Sequence, residues 1–232
     1  MEWLKLTAQE WTAIQLSLKV ASVATMASLP PGIATALLLA RGRFFGKTLL
    51  DGLVHLPLVL PPVVTGYVLL ILFGRQGPVG AWLETHLGLV LSFRWTGAAL
   101  ACAVMGFPLM VRAIRLAFEA IDHRLEDAAG TLGASRLWVF ATVTLPLALP
   151  GIIAGAVLCF AKALGEFGAT ITFVSNIPGE TQTIPSAIYN YAQAPDGDQG
   201  ALRLSIVAVI IALGALIVSE GLARRSFRAQ AA

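Results

Sequence analysis

Lys162 and Glu166 stand four residues apart within an apolar run, a spacing that puts an ammonium and a carboxylate on one face of a helix. Charge at membrane depth costs a few kcal/mol or more and is placed toward protein or water. Three readings stand for the segment Gly165-Glu166-Phe167-Gly168-Ala169-Thr170: a structural ion pair, a proton relay, or part of a transport path. An unpaired Glu166 would repel an anionic substrate, which argues against direct contact between its carboxylate and such a cargo. Gly42-Arg43-Phe44-Phe45-Gly46-Lys47-Thr48 looks at first like a phosphate-binding loop. The pattern fails, because three residues rather than four separate the glycines and no strand precedes them. His55, His86 and His123 lie in different segments, Cys102 and Cys159 have no CxxC or His partner, and no nucleophile set or metal site assembles. Neither catalysis nor a resident cofactor or metal is expected of this chain.

The elements that carry these residues are built for lipid. Of 232 positions, 57% are hydrophobic and 12% charged, and the mean hydropathy is +0.79, far from a soluble domain. Five apolar stretches are each long enough to span: about 14–40, 49–73, 95–117, 147–174 and 202–222. The expected fold is an all-α, polytopic membrane protein of five transmembrane helices. No soluble domain fits beside them, so a single membrane domain over residues 11–225 is expected. Ten of the sixteen Lys and Arg residues fall on alternate connections: Arg41, Arg43 and Lys47; Arg112, Arg115, Arg124 and Arg136; Arg224, Arg225 and Arg228. The positive-inside rule then puts the N-terminus outside and the C-terminus in the cytoplasm. The basic residues flank spans rather than forming a stripe with aromatics, so nucleic acid is not an expected partner; membrane lipid is. The N-terminus lacks the features of a cleaved signal peptide, and no regulatory domain is expected after Arg228.

Within the spans, His55-Leu56-Pro57-Leu58-Val59-Leu60-Pro61-Pro62 carries three prolines and is expected to break the second helix toward protein or a water-lined route. Gly151 and Gly155 form a GxxxG that reads as close helix packing, and Lys19 as a cation that snorkels or pairs. Thr183 to Tyr189 reads as a short re-entrant or interfacial helix, and Asp196 to Gly200 as a turn before the last span. An odd number of spans argues against two inverted halves, so a pathway would need a second subunit.

Between the third and fourth spans lies a polar-flanked cassette, Leu125-Glu126-Asp127-Ala128-Ala129-Gly130-Thr131-Leu132-Gly133-Ala134-Ser135, running on to Val143-Thr144-Leu145-Pro146. Asp122 can cap a helix with Leu125, Ala128, Ala129 and Leu132 along one side, and Glu126 and Asp127 near its positive end. Gly133 suits a left-handed C′ position, and Ser135 can cap a next helix that Pro146 is expected to break. The product is a short cytoplasmic knob suited to a groove on a partner.

These residues resemble a known family. Asp127-Ala128-Ala129, three residues, Gly133, nine residues, Val143, one residue, then Leu145-Pro146 is similar to the EAA cassette of binding-protein-dependent ABC importer permeases, with Asp for Glu and Val for Ile. The stretches from His55 to Val64, Phe107 to Arg115 and Gly165 to Thr181 resemble the molybdate-transporting members. The resemblance implies a permease that moves molybdate inward by alternating access, as a homodimer with two cytoplasmic ATPases and a periplasmic oxoanion-binding protein in a bacterial inner membrane. ATP and Mg would then bind the ATPases, and the coupling loop would comprise Glu126, Asp127, Ala128, Ala129, Gly133, Leu145 and Pro146. Sulfate or tungstate is the alternative cargo; a proton-coupled carrier using Glu166 and Lys162, or a membrane enzyme using the same charges, are the alternatives of another class.

Overall fold

A capping box starts the first helix. The Thr7 side chain accepts the Glu10 N–H at 3.2 Å, and the Glu10 carboxylate accepts the Thr7 N–H at 2.7 Å. The computed structural model describes residues 5–231, without the side chains of 218–220 and 222–231. The Arg224, Arg225 and Arg228 cluster therefore lies outside the described side chains.

The described elements are helical: α1 (Ala8–Arg41), α2 (Lys47–Val59), α3 (Pro62–Phe73), α4 (Pro78–Leu87), α5 (Trp95–Glu119), α6 (His123–Thr131), α7 (Arg136–Val139), α8 (Leu145–Leu164), α9 (Gly168–Val174), α10 (Ile184–Gln193) and α11 (Asp198–Ala231). One π-helical turn, Phe140–Thr144, joins α7 to α8. Among the described residues, four helical stretches are long and apolar enough to cross a membrane: Ala8–Arg41, Trp95–Glu119, Arg136–Leu164 and Asp198–Ile217. A fifth crossing exists only if α2 and α3, bent by 113° at the break between them, are taken as one.

The break expected in the second span is present, and at 113° it divides that stretch into two helices, α2 and α3. Pro61 and Pro62 lack amide donors, Pro62 opens α3 where a missing N–H is harmless, and Leu60 and Pro61 hold extended backbone. Prolines alone do not decide the outcome, since α1 passes Pro30 and Pro31 unbroken. The expected fourth span is corrected at both ends. Its helix begins within the cassette at Arg136 and stops at Leu164, and Gly165-Glu166-Phe167 separates it from α9. Pro146 breaks nothing: it sits in the first turn of α8, and the wider π turn before it takes up the mismatch. The connection 74–94 contains α4, a helix with no counterpart among the five apolar stretches.

Helix α5 lies at the centre, packed on α1 and α8 through small residues. A Cβ on Gly151 would stand 2.2 Å from the Ala117 Cβ, one on Gly155 2.9 Å from the Met110 carbonyl, and one on Gly106 2.6 Å from the Cys159 sulfur. The GxxxG is thus a packing seam. Cys102 and Cys159 are buried free thiols within it. Helix α11 instead exposes Val209, Ile210, Leu213, Leu216 and Ile217, the surface expected of a helix facing lipid or another subunit. The Lys19 ammonium lies 3.7 Å over the Trp95 ring, a cation–π contact in place of an ion pair.

Candidate functional site: the cassette and the intramembrane ion pair

The cassette forms as its residue types dictate. Asp122 accepts the Arg124 N–H at 3.0 Å and caps α6. Helix α6 ends at Thr131 with Leu132 as its C-cap, and Gly133 follows at φ 86° with its N–H on the Gly130 carbonyl and the Ala134 N–H on the Ala129 carbonyl. A Cβ added to Gly133 would meet nothing within 4 Å, so backbone conformation rather than crowding asks for glycine there. Ser135 accepts the Trp138 N–H at 3.4 Å and caps α7. Of the expected stripe, Leu132 is 89% exposed and Leu125 51%; Leu137 at 83% and Trp138 at 63%, which the stripe did not include, are exposed beside it. Ala128 and Asp127 are exposed, Ala129 is half-buried, and Leu145 and Pro146 lie at the root of α8. The knob thus presents exposed apolar side chains on both of its helices.

The two adjacent acids divide. Asp127 faces solvent, while the Glu126 side chain is only 13% exposed. Arg41 Nη1, on the last residue of α1, donates to both Glu126 oxygens at 2.6 and 2.5 Å. The Thr144 hydroxyl, in the π turn, donates to Glu126 Oε1, and His123 Nδ1 lies 3.5 Å from Oε2. Burial by itself pushes the Glu126 carboxyl up; the hydrogen bonds from Arg41 and Thr144 and the Arg41 charge outweigh it and hold the group below the ordinary carboxylate value. A cavity of about 750 Å³ opens beside this cluster, lined by Arg41, Glu126, Asp127, Thr131, Arg136 and Thr144 among others. In the sequence Arg41 reads only as a topology marker and Thr144 as a spacer; a stray arginine at a helix end is the one signal there of a further role.

Deeper in the bundle, Lys162 Nζ donates to Glu166 Oε2 at 2.7 Å. The pair expected from the spacing exists, although Glu166 lies past the end of α8. Its second oxygen accepts the Ala169 N–H at 2.9 Å, capping the first turn of α9, and the residue is 2% exposed. Both carboxylate oxygens are engaged in structural bonds. Gly168 meets Pro62 so closely that a Cβ would stand 2.7 Å from the proline Cβ, and one on Gly66 would stand 2.5 Å from the Ala169 carbonyl. The broken segment after α8 thus packs on the broken segment before α3, and Glu166 holds one side of that junction.

The model of a family described as binding-protein-dependent transport system inner membrane component matches residues 32–229. The chain belongs to this family. As a family member it is a multi-pass inner-membrane permease, and its curated relatives are transport permeases rather than enzymes. It is 61% identical over 221 residues to the molybdenum transport system permease protein ModB of Escherichia coli strain K12, covering 95% of this chain and 96% of that one. It is 56% identical to the protein of the same description from Haemophilus influenzae, over 93% of this chain and 94% of the other. The sulfate transport system permease protein CysT of Escherichia coli strain K12 is 36% identical, over 89% of this chain and 73% of its own length. Among solved structures, a bacterial ABC transporter importing alginate matches at TM-score 0.74 with 18% identity, over 95% of this chain and 80% of that one. The MetNI methionine ABC transporter, in inward-facing conformations, matches at 0.70 with 16% identity, over 92% and 94%. At such identities the likeness is one of fold, and the fold is that of ABC-importer transmembrane subunits.

Proposed function

We propose that this chain is the permease subunit of an ATP-driven importer that carries molybdate across the inner membrane by alternating access. The 61% identity with a molybdenum transport permease, spread over nearly all of both chains, is the observation that carries this reading. Residues 11–225 form the single translocating domain. Two copies enclose the pathway, two ATPase subunits bind ATP and Mg on the cytoplasmic side, and a periplasmic oxoanion-binding protein delivers the cargo. The N-terminus lies outside and the C-terminus inside.

The coupling surface is the cassette. Exposed Leu132, Leu137 and Trp138 fill an apolar groove on the ATPase, Asp127 and Ala128 face it, and Gly133 sets the angle between α6 and α7. Glu126, Ala129, Leu145 and Pro146 form the base that joins the knob to α8. Lys162 and Glu166 hold the α9 break in place, a role supported by the full engagement of the Glu166 oxygens.

The deciding experiment reconstitutes the chain with its ATPase and binding protein in vesicles and measures uptake of molybdate and sulfate with and without ATP. Molybdate uptake that requires ATP is the expected result. Preference for sulfate would favour the second cargo, to which the likeness with the sulfate permease gives weaker support. Uptake driven by a pH gradient without the ATPase would sink the importer reading.

A further inference from the structure

Helix α6 has no buried residue, so packing alone does not fix it to the bundle. Among the described residues, and apart from the Asp122 cap, the side-chain hydrogen bonds that join α6 to other elements run through Glu126, to Arg41 and to Thr144. Those two partners stand at consequential places. Arg41 ends α1, and a short turn later Lys47 begins α2, the first arm of the 113° bend. Asp51 on α2 in turn lies 3.1 Å from Arg115 on α5. Thr144 closes the π turn through which α7 becomes α8. One carboxylate therefore joins the knob to the helix that leads into the bend and to the helix that leads to the α9 break.

We propose that Arg41 and Thr144 are positioning residues for coupling, with Glu126 as an internal strut that carries displacement of the knob to α1 and α8 rather than a contact to the ATPase. The adjacent Asp127, exposed on the same helix, is the acid that faces the partner. Arg41 grips Glu126 through one nitrogen, and its Nε and Nη2 are buried beside the cavity without partners. The guanidinium fork thus keeps donors with which to follow the carboxylate as α6 moves. A strut of this kind changes how much transport each ATP yields without being needed for the ATPase to bind.

This inference rests on the importer reading, and the test separates the two. In the full reconstituted transporter, Arg41→Gln, Glu126→Gln and Thr144→Val are each compared with wild type for ATPase co-purification and for molybdate taken up per ATP hydrolysed. Co-purification is expected to persist in all three. Uptake per ATP is expected to fall roughly tenfold for the two charge variants and less for Thr144→Val, as loss of charged and neutral hydrogen bonds dictates. The exchanged pair Arg41→Glu with Glu126→Arg is expected to recover several-fold over either single exchange, which a general folding defect would not allow. Loss of ATPase binding in Glu126→Gln, with Asp127→Asn behaving as wild type, would overturn the proposal. So would an exchanged pair no better than its singles. Wild type that neither binds ATPase nor takes up molybdate would instead sink the importer reading.

Discussion

Arg41 and Glu126, separated by 85 positions, meet through one guanidinium nitrogen and both carboxylate oxygens at 2.5 to 2.6 Å. The contact fastens the α6–α7 knob to the end of the first helix, and it is partly shielded from solvent, with side-chain exposures of 26% and 13%. Pairs of this kind are screened less by salt than open surface pairs.

The first prediction concerns pH. The Glu126 carboxyl titrates below its ordinary value in the folded protein, so its contribution is present above the unfolded value, near 4.5, and is lost as pH falls through the depressed folded value. Protection of α6 amides against hydrogen exchange, corrected for the intrinsic pH dependence of exchange, should hold from neutral pH to about the ordinary carboxylate value and fall only below it. Arg41→Gln should move that fall to higher pH. An onset unchanged by the substitution would show that Arg41 is not what holds the acid.

Gly133 stands at φ 86° with open space around it. Gly133→Val should cost the cassette about 1–2 kcal/mol, the ordinary penalty of a left-handed β-branched residue, while Gly133→Asn should cost less because Asn tolerates that conformation. Resistance of the loop to proteolysis and ATPase co-purification should both rank glycine above Asn above Val. Gly133→Asp, which adds charge to the knob, should lose ATPase association while the chain still inserts.

The seam between α5 and α8 can be tested by moving a single carbon. Gly151→Ala places a Cβ 2.2 Å from that of Ala117, an overpacking expected to cost about 1–3 kcal/mol. Adding Ala117→Gly should recover most of this, less the roughly 1 kcal/mol cost of a helical glycine. Thermal unfolding in detergent reads both numbers, and a double variant no more stable than Gly151→Ala would place the strain elsewhere.

Glu166 carries a charge and a cap at once. Glu166→Gln keeps an acceptor for the Ala169 N–H and loses the charge facing Lys162; Glu166→Ala loses both. The expected order of stability is wild type, Gln, Ala, with Ala down by about 3 kcal/mol, the lower end for a broken buried pair because Lys162 remains partly exposed. Lys162→Met in the Glu166→Gln background should restore part of the loss. Equal stability of Gln and Ala would show that the cap contributes nothing.

Much of the architecture is legible in the sequence because its signals are local. Apolar length marks a span whatever packs on it, so α1, α5 and the last helix lie near the bounds that hydropathy gives them. Asp122, Gly133 and Ser135 serve as cap, turn and cap, as their residue types predict, since each acts on backbone within a few residues of itself. The Lys162–Glu166 pair follows from spacing, yet the helix ends between them, and a four-residue interval alone does not show that Gly165 breaks it. Proline is an ambiguous sign: α1 carries Pro30 and Pro31 without a break, Pro146 lies harmlessly in a first turn, and only Pro61 and Pro62 mark a bend. The difference depends on what satisfies the freed carbonyls, which is a matter of neighbours.

By itself the sequence determined the lipid-borne helices, the capped knob and the family spacing within it, because hydropathy and capping are decided over a few turns of chain. The tertiary structure alone decided which of two adjacent acids turns inward. Residues 126 and 127 differ by about 100° around a helix, so the two cannot face the same way. Only the arrival of Arg41 and Thr144 from distant parts of the chain makes that one Glu126.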